Sequence, residues 1–171
     1  MTNNTIPAKV LAELNRQLNY ELGAAYSYRA LAAWCAAQEL KGFAAYFAKQ
    51  AEEEQAHADR IMAHLLDRGT QPRLEAIPAP QQTFKSLLEA VQHAQALERA
   101  NTKSVNTVYE AALAAKDYPA QVLMHWFINE QVEEEAQAAS AVARVQAATC
   151  AGSLFDLDRH IGKDLKGPAA D

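Results

Sequence analysis

Glycine, proline and cysteine are scarce in this chain of 171 residues, which contains 6 glycines, 6 prolines and 2 cysteines. Half of the residues are hydrophobic, and alanine is common among them. Because alanine favours helices and the residues that interrupt helices are few, the composition predicts an all-α protein rather than a sheet protein. The length suits one sizeable core, so we expect residues 1–171 to form a single domain.

A basic surface and long apolar runs are also missing. The formal net charge is -5, so the composition indicates neither nucleic acid nor an anionic membrane as a partner. No uncharged apolar run approaches the roughly 18 residues of a transmembrane helix, and MTNNTIPAKV at the start does not resemble a signal peptide. Cys35 and Cys150 match no metal or redox spacing, and we expect both to be small packing residues. These features together favour a cytoplasmic protein.

Apolar residues at alternating spacings of three and four predict four long helices. Breaks at Lys41–Gly42 and Lys116–Pro119 are short, so they join antiparallel pairs, whereas three prolines within residues 70–82 predict a long crossover. We therefore expect a four-helix bundle of two antiparallel hairpins with one long crossover, plus a short fifth C-terminal helix. The expected helices span residues 6–40, 43–68, 84–115, 119–149 and 154–162.

Cap residues set the expected ends of several helices. Thr5 is expected to cap the first helix, and Gly69 to follow the end of the second. Gly152 is expected to end the fourth helix. Ser153, with Asp156 three residues later, has the spacing of a capping box for the fifth helix.

Glutamates interrupt the apolar seams of these helices. Glu21 lies in the seam of the first helix, and Glu54 and His57 lie one turn apart in the seam of the second. A carboxylate that faces a core is costly unless it is paired or binds a metal. The positions therefore indicate a functional centre rather than ordinary packing.

The same polar pattern recurs 77 residues later, which makes the two hairpins a pseudo-repeat. Antiparallel packing would bring both sets to the middle of the bundle. The offset maps Glu21, Glu54 and His57 onto Glu98, Gln131 and Glu134, respectively.

A two-iron centre is the chemistry that fits these residue types. Iron accepts carboxylate oxygen and imidazole nitrogen as ligands, and bound cations offset the cost of burying carboxylates. Helical bundles of this kind supply a lone Glu from two helices and Glu-x-x-His from the other two. Here the second Glu-x-x-His is changed to Gln-x-x-Glu. The centre then has one bridging carboxylate instead of two, so we expect it to hold the second metal more loosely. That suits a site through which iron passes rather than one that keeps a permanent cofactor. The expected ligands are Glu54 as the bridge, Glu21 and His57 at the first position, Glu98 and Glu134 at the second, and Gln131 there as a weak ligand or hydrogen-bond partner.

The segments NYELGAAYSYRALAAW, EEEQAHADR, ALERA and WFINEQVEEE resemble the non-haem bacterial ferritins over almost the whole chain. The resemblance implies ferroxidase ligands at the five carboxylate and histidine positions above and matches Gln131 to the family's glutamine position. It also implies a hollow 24-subunit shell, with the fifth helix lining a symmetry axis. It also implies aromatic electron donors beside the centre at Tyr28 and Trp126. A third iron site is implied at Glu53, Glu130 and Glu133.

The expected function is iron storage with ferroxidase activity, in which dioxygen or hydrogen peroxide oxidises Fe(II) and the Fe(III) product mineralises inside the cage. Haem is not expected, because Gln55 replaces the methionine ligand of a bacterioferritin and the second Glu-x-x-His is absent. Two alternatives remain open: a di-iron oxidase or peroxidase without storage, and a helical structural module without metal. Expected outside the centre are Glu52, Glu135, His64, His93, His125 and His160.

Overall fold

The computed structural model describes residues 5–164, which contain five helices and no strand. The all-α expectation is thus confirmed, and each observed helix end lies within three residues of its expected position. Within the same residues, no helix combines the length and apolar character needed to cross a membrane. The helices are α1 Ala8–Ala37, α2 Lys41–Asp67, α3 Leu87–Ala114, α4 Tyr118–Ala147 and α5 Ala151–Asp164.

Two helix starts differ from the expectation. Pro7, not Thr5, occupies the N-cap position of α1, where it makes no side-chain cap hydrogen bond. Gly152 and Ser153 lie inside α5 instead of before it. The Ser153 hydroxyl donates to the backbone carbonyl of Cys150 at 2.8 Å, so it supports the helix start from within the first turn. A glycine without a left-handed φ does not end a helix, which explains why the expected stop was wrong.

The turns inside the two hairpins repeat with the same 77-residue offset as the polar residues. Glu39 has φ 59° and Lys116 has φ 54°, and these two left-handed residues precede α2 and α4 at equal distances. Gly69 has φ +70° after α2, as expected. The expected break at Gly42 was wrong, because the chain has already turned at Glu39.

Gly42 is required for a different reason. It lies in the first turn of α2, where a Cβ would sit 1.6 Å from the backbone carbonyl oxygen of Asp158 in α5. The side chain of Asp158 accepts hydrogen bonds from the backbone N–H groups of Gly42 at 3.0 Å and Phe43 at 2.9 Å. Helix α5 is therefore docked on the N-terminus of α2 through a side-chain cap supplied from 115 residues away.

The packing confirms the two hairpins and the long crossover. Helix α1 packs mainly on α2, α3 packs mainly on α4, and α1 also contacts α3. Between α2 and α3 the crossover runs along α1, where Asn15 accepts from the backbone N–H of Arg73 at 2.7 Å and Asn19 accepts from that of Glu75 at 2.8 Å. The crossover is therefore held along the bundle by side chains of α1.

Two apolar clusters fill the bundle, one towards each end. The first surrounds Phe43 and Phe47 and includes Cys35, while the second surrounds Leu14 and Phe127. Cys150 is exposed, contrary to the expectation that both cysteines are packing residues. Between the clusters lies a layer of buried polar side chains, called the polar layer below: Gln17, Glu21, Gln50, Glu54, His57, Glu98, Asn101, Ser104, Gln131 and Glu134.

Candidate metal centre

The polar layer contains all six ligands that the sequence predicts for the two metal positions. None of the six is more than 6 % exposed, so each faces the interior of the bundle as the interrupted seams require. Four helices contribute to the layer, and each brings its polar residues to the same level of the bundle. These six residues are Glu21, Glu54, His57, Glu98, Gln131 and Glu134.

The first group of potential ligands joins α1 to α2. Glu21, Glu54 and His57 each offer one ligand atom, and these atoms all lie within 4.8 Å of one another. His57 Nδ1 lies 3.3 Å from Glu54 Oε2 because the two residues are one helical turn apart. Two carboxylate oxygens and an imidazole nitrogen around one point form a donor set that fits iron.

The second group shares His57 and adds two residues of α4. Ligand atoms of His57, Glu130 and Glu134 lie within 4.8 Å of one another. Glu134 is buried at the predicted second position, and Glu130 is half-buried beside it. The sequence places Glu130 in a third site, whereas the structure brings it next to a ligand of the second position.

Glu98 is buried in the same layer but belongs to neither group within residues 5–164. One of its carboxylate oxygens accepts the hydroxyl of Tyr28, and the other accepts the side-chain amide of Gln131 at 3.3 Å. Both oxygens are therefore held by donors. A ligand role for Glu98 stays a prediction.

The expected third iron site is less enclosed than the first two positions. Glu53 is half-buried and pairs with Lys49 at 2.5 Å, and Glu133 is exposed. Neither joins Glu130 in a group of potential ligands among the described residues. The third site therefore stays a prediction.

Burial shifts the acid–base behaviour of the whole layer. Loss of hydration is the largest cause that raises the pKa of Glu21, of Glu54, of Glu98 and of Glu134. Together with the negative charges of Glu98 and Glu53, it raises the pKa of Glu134 to about 8. A cation bound among these carboxyl groups would relieve both the lost hydration and the repulsion.

Three amide side chains that were not among the predicted site residues support the carboxylates. Gln17 Nε2 donates to Glu21 Oε1 at 2.7 Å, and Asn101 Nδ2 donates to Glu21 Oε2 at 3.1 Å. Gln50 Nε2 donates to Glu134 Oε2 at 3.0 Å. Gln50 stands in the apolar seam of α2, and the other two lie three or four residues from a predicted ligand, which places them on the same helix face.

Aromatic side chains flank the layer where the resemblance implies them. The Tyr28 ring packs on Phe47, with the ring centroids 6.0 Å apart. The pKa of Tyr28 is raised well above its ordinary value by burial and by Glu98, so the hydroxyl keeps its proton. Trp126 meets His57 edge-on at 5.4 Å, and Arg60 lies 3.9 Å above the tryptophan ring. A redox role for either aromatic residue stays a prediction.

The residues expected outside the centre lie outside both groups of potential ligands among the described residues. Glu52 is exposed, and Glu135 is half-buried and accepts the hydroxyl of Thr102. The other four histidines have near neighbours that are not predicted ligands. These pairs are His64 with Arg68, His93 with Phe84, His125 with Tyr109 and His160 with Asp156.

The fold and the polar layer define a class: a four-helix bundle with a carboxylate and histidine centre in its core. A sequence model of the ferritin-like domain matches residues 11–148. The chain therefore belongs to the ferritin family, and the resemblance to non-haem bacterial ferritins is confirmed.

Individual relatives agree with this membership. The chain is 40 % identical over 126 residues to the bacterial non-heme ferritin of Staphylococcus haemolyticus, a match that covers 74 % of this chain and 76 % of the relative. It is 39 % identical over 127 residues to that of Staphylococcus aureus strain MRSA252, with the same coverage of both chains. Among solved structures, an open pore ferritin from the archaeon Archaeoglobus fulgidus matches with a TM-score of 0.89 and 32 % identity, over 92 % of this chain and 98 % of that one.

Proposed function

We propose that this protein stores iron and is a ferroxidase, which binds Fe(II) in the polar layer, oxidises it to Fe(III) and deposits the product inside a protein shell. The observation that carries the proposal is the buried group of Glu21, Glu54 and His57, whose ligand atoms lie within 4.8 Å of one another. Membership of the ferritin family supports the same function.

Glu54 is the proposed bridge between the two metal positions. Its carboxyl group lies within 4.8 Å of ligand atoms of Glu21 and His57, and burial together with the negative charges of Glu98, Glu134 and Glu53 raises its pKa. This central place suits a carboxylate that gives one oxygen to each metal. Glu21 and His57 complete the first position.

The second position is proposed to take Glu98 and Glu134, with Gln131 beside them. Glu130 is within reach of the same position. Together with Glu53 and Glu133 it would form the third site, on the way from the centre to the interior of the shell. Because Glu53 and Glu130 are only half-buried, they are suited to receive an ion that leaves the buried layer.

The carboxyl groups of the layer have two tasks in this function. Their raised pKa values favour their protonated forms in the metal-free protein, so binding of iron displaces protons from them. Once ionised, their anionic oxygens stabilise Fe(III) more than Fe(II), which lowers the reduction potential and favours oxidation. Each Fe(II) ion loses one electron, and dioxygen or hydrogen peroxide accepts it.

The proposal extends to assembly and location. A hollow shell of 24 subunits would enclose the oxidised iron, and α5 would line a symmetry axis of the shell. Acidic side chains on the inner surface would concentrate cations there. We propose that this shell works in the cytoplasm.

Stopped-flow absorbance tests the oxidation step. The protein is loaded anaerobically with Fe(II) and then mixed with oxygenated buffer, and a fast oxidation phase is expected. Glu54→Ala and His57→Ala should abolish that phase, whereas Glu52→Ala, an exposed change on the same helix, should leave it intact. The absence of a fast phase in the unsubstituted protein, or its survival in Glu54→Ala, would contradict the assignment.

The amount of iron taken up separates storage from a di-iron oxidase or peroxidase. A storage protein should accumulate far more iron than two ions per chain, and the iron should elute with the assembled shell on gel filtration. A protein that stops at two ions per chain and forms no mineral would be the oxidase or peroxidase instead.

A further inference from the structure

A continuous series of hydrogen bonds crosses the polar layer from the surface to the second metal position. We call it the donor chain, and each member donates to the next. In order, the members are Arg16, Ser104, Gln17, Asn101, Gln131 and Glu98.

The members of the donor chain lie on three helices, α1, α3 and α4. Arg16 Nη1 donates to the Ser104 hydroxyl at 2.7 Å, and the hydroxyl of Ser104 donates to Gln17 Oε1. Gln17 Nε2 then donates to Asn101 Oδ1 at 2.7 Å, and Asn101 Nδ2 donates to Gln131 Oε1 at 3.4 Å. The last link runs from Gln131 Nε2 to Oε2 of Glu98 at 3.3 Å.

The direction of the donor chain follows from its two ends. A guanidinium group can only donate, so Ser104 must accept from Arg16 and has its own proton free to pass on to Gln17. At the other end, Gln131 Nε2 donates to the backbone carbonyl of Glu98 at 3.2 Å as well as to its Oε2, and a backbone carbonyl can only accept. Each amide between them has one carbonyl side and one NH₂ side, so fixing one amide fixes the next.

The direction decides which atom Gln131 presents to the metal centre. Its carbonyl oxygen faces Asn101, and its NH₂ group faces Glu98 and the Thr102 hydroxyl. An NH₂ group cannot coordinate a cation. With the donor chain intact, Gln131 therefore holds a carboxylate ligand in place instead of acting as a ligand.

We propose that Gln17 and Asn101 are positioning residues that orient Gln131 and Glu21 for metal binding. The inference rests on the proposed di-iron centre. Asn101 links the two halves of that centre, because its NH₂ group lies within hydrogen-bond distance of Glu21 and of Gln131. Gln17 acts on the same two residues, directly on Glu21 and through Asn101 on Gln131.

The internal repeat gives Gln17 and Asn101 no counterparts in the other half of the repeat. The positions 77 residues from Gln17 and Asn101 are Ala94 and Ala24, which offer no donor. Glu98, the counterpart of Glu21, instead receives Tyr28 and Gln131. The two metal positions consequently differ in how their carboxylates are held.

Paired substitutions at Ser104 test the chain without touching a predicted ligand. Ser104→Ala removes the hydroxyl that fixes Gln17, and Ser104→Thr keeps it. Anaerobic titration with Co(II), followed by its visible absorption, reports affinity and coordination independently of oxidation. Ser104→Ala should weaken Co(II) binding about tenfold, as expected when a group that orients a ligand is lost, and Ser104→Thr should restore it. Equal affinities in the two variants would overturn the proposal.

A second variant tests the direction itself. In Asn101→Asp, an ionised side chain that can only accept should turn the NH₂ group of Gln131 away from Glu98 and its carbonyl towards the second position. The carbonyl oxygen of Gln131 would then add a ligand to Co(II) at that position, so the visible absorption band of Co(II) should lose intensity. In the double variant Asn101→Asp with Gln131→Leu, the band should regain its intensity because this ligand is gone. The same band in both backgrounds would overturn the proposed orientation.

These measurements stand apart from the test of the proposed function. Wild-type protein that binds two Co(II) ions but shows no fast oxidation of Fe(II) would contradict the ferroxidase and leave the positioning role supported by the Ser104 pair. Fast oxidation of Fe(II) in the wild-type protein, with unchanged Co(II) binding in Ser104→Ala, would support the ferroxidase and contradict the positioning role.

Discussion

The hydroxyl of Tyr28 on α1 donates a hydrogen bond to Oε1 of Glu98 on α3, inside the polar layer. Both residues are almost fully buried, at 2 % and 1 % exposure. Burial raises the pKa of Tyr28 well above its ordinary value, so the phenol keeps its proton and donates to Glu98. The contact ties the first hairpin to the second at the level of the polar layer.

Replacement of Tyr28 by Phe should destabilise the metal-free protein by about 1 kcal/mol or more, because Glu98 loses a buried donor and keeps only the Gln131 amide. Thermal unfolding monitored by circular dichroism measures the loss. The same variant should slow the fast oxidation phase, whereas Tyr26→Phe, an exposed change on the same helix, should alter neither property. An unchanged melting temperature in Tyr28→Phe would show that Glu98 does not depend on this donor.

The metal-free protein should lose stability as the pH rises from about 4.5 to about 8. Folding raises the pKa of Glu134 to about 8 from an ordinary value near 4.5, so the native state holds this proton more tightly than the unfolded chain does. The contribution is fully present below about pH 4.5 and is lost as the pH passes the native pKa. Denaturation by urea at a series of pH values measures the slope.

Glu134→Gln should flatten this pH dependence, because a neutral amide replaces one of the groups that must ionise. Part of the slope should remain, since the pKa values of Glu21, Glu54 and Glu98 are raised as well. Glu52→Gln, at an exposed position, serves as the control. A slope in Glu134→Gln as steep as in the unsubstituted protein would contradict the raised pKa of this residue.

Asp158→Ala should release α5 from the bundle. The carboxylate caps the first turn of α2 through the N–H groups of Gly42 and Phe43, and loss of such a cap costs about 1 kcal/mol. Limited proteolysis should then cut within α5 sooner than in the unsubstituted protein. Asp156→Ala, on the exposed side of the same helix, should leave the cleavage rate unchanged, and equal protection in both variants would show that the cap does not hold α5.

Asp117→Ala should be the most destabilising of these changes. Asp117 caps α4 by accepting from the N–H of Ala120 at 3.3 Å, and both its oxygens lie 2.8 Å from Nη1 of Arg68, whose side chain is 9 % exposed. Removing it leaves that guanidinium without its carboxylate, at a cost of roughly 3–5 kcal/mol. The exposed pair of Arg73 and Glu75 provides the comparison, because Glu75→Ala should cost less than about 1 kcal/mol in the same thermal scan.

The helices and the family were predictable because their signals are local. Alternating spacings of three and four define each helix, and a carboxylate in an apolar seam stands out against its neighbours. The 77-residue offset of the polar positions reappears in the backbone, where Glu39 and Lys116 take the same left-handed conformation. The prediction that all six ligands face the interior is confirmed for the same reason, because it depends on their positions in the apolar seams.

Helix ends near α5 were not predictable from local signals. Gly42 looks like a break in the sequence, but it is needed because the backbone of Asp158 approaches it from the other end of the chain. Gly152 and Ser153 have the composition of a cap, yet both lie within α5. At Gly42 a contact between distant segments outweighed the local preference.

The sequence by itself determined the bundle, the repeat and the carboxylates and histidine that make a metal centre, because each depends on residue type and spacing along one helix. The tertiary structure alone decided how those groups are held. It placed Glu130 beside Glu134, and it aligned Gln17 with Asn101 across 84 positions of sequence to orient Gln131. The sequence does not show whether an amide side chain turns its carbonyl oxygen or its NH₂ group towards the centre. That choice depends on its hydrogen-bond partners in the folded protein.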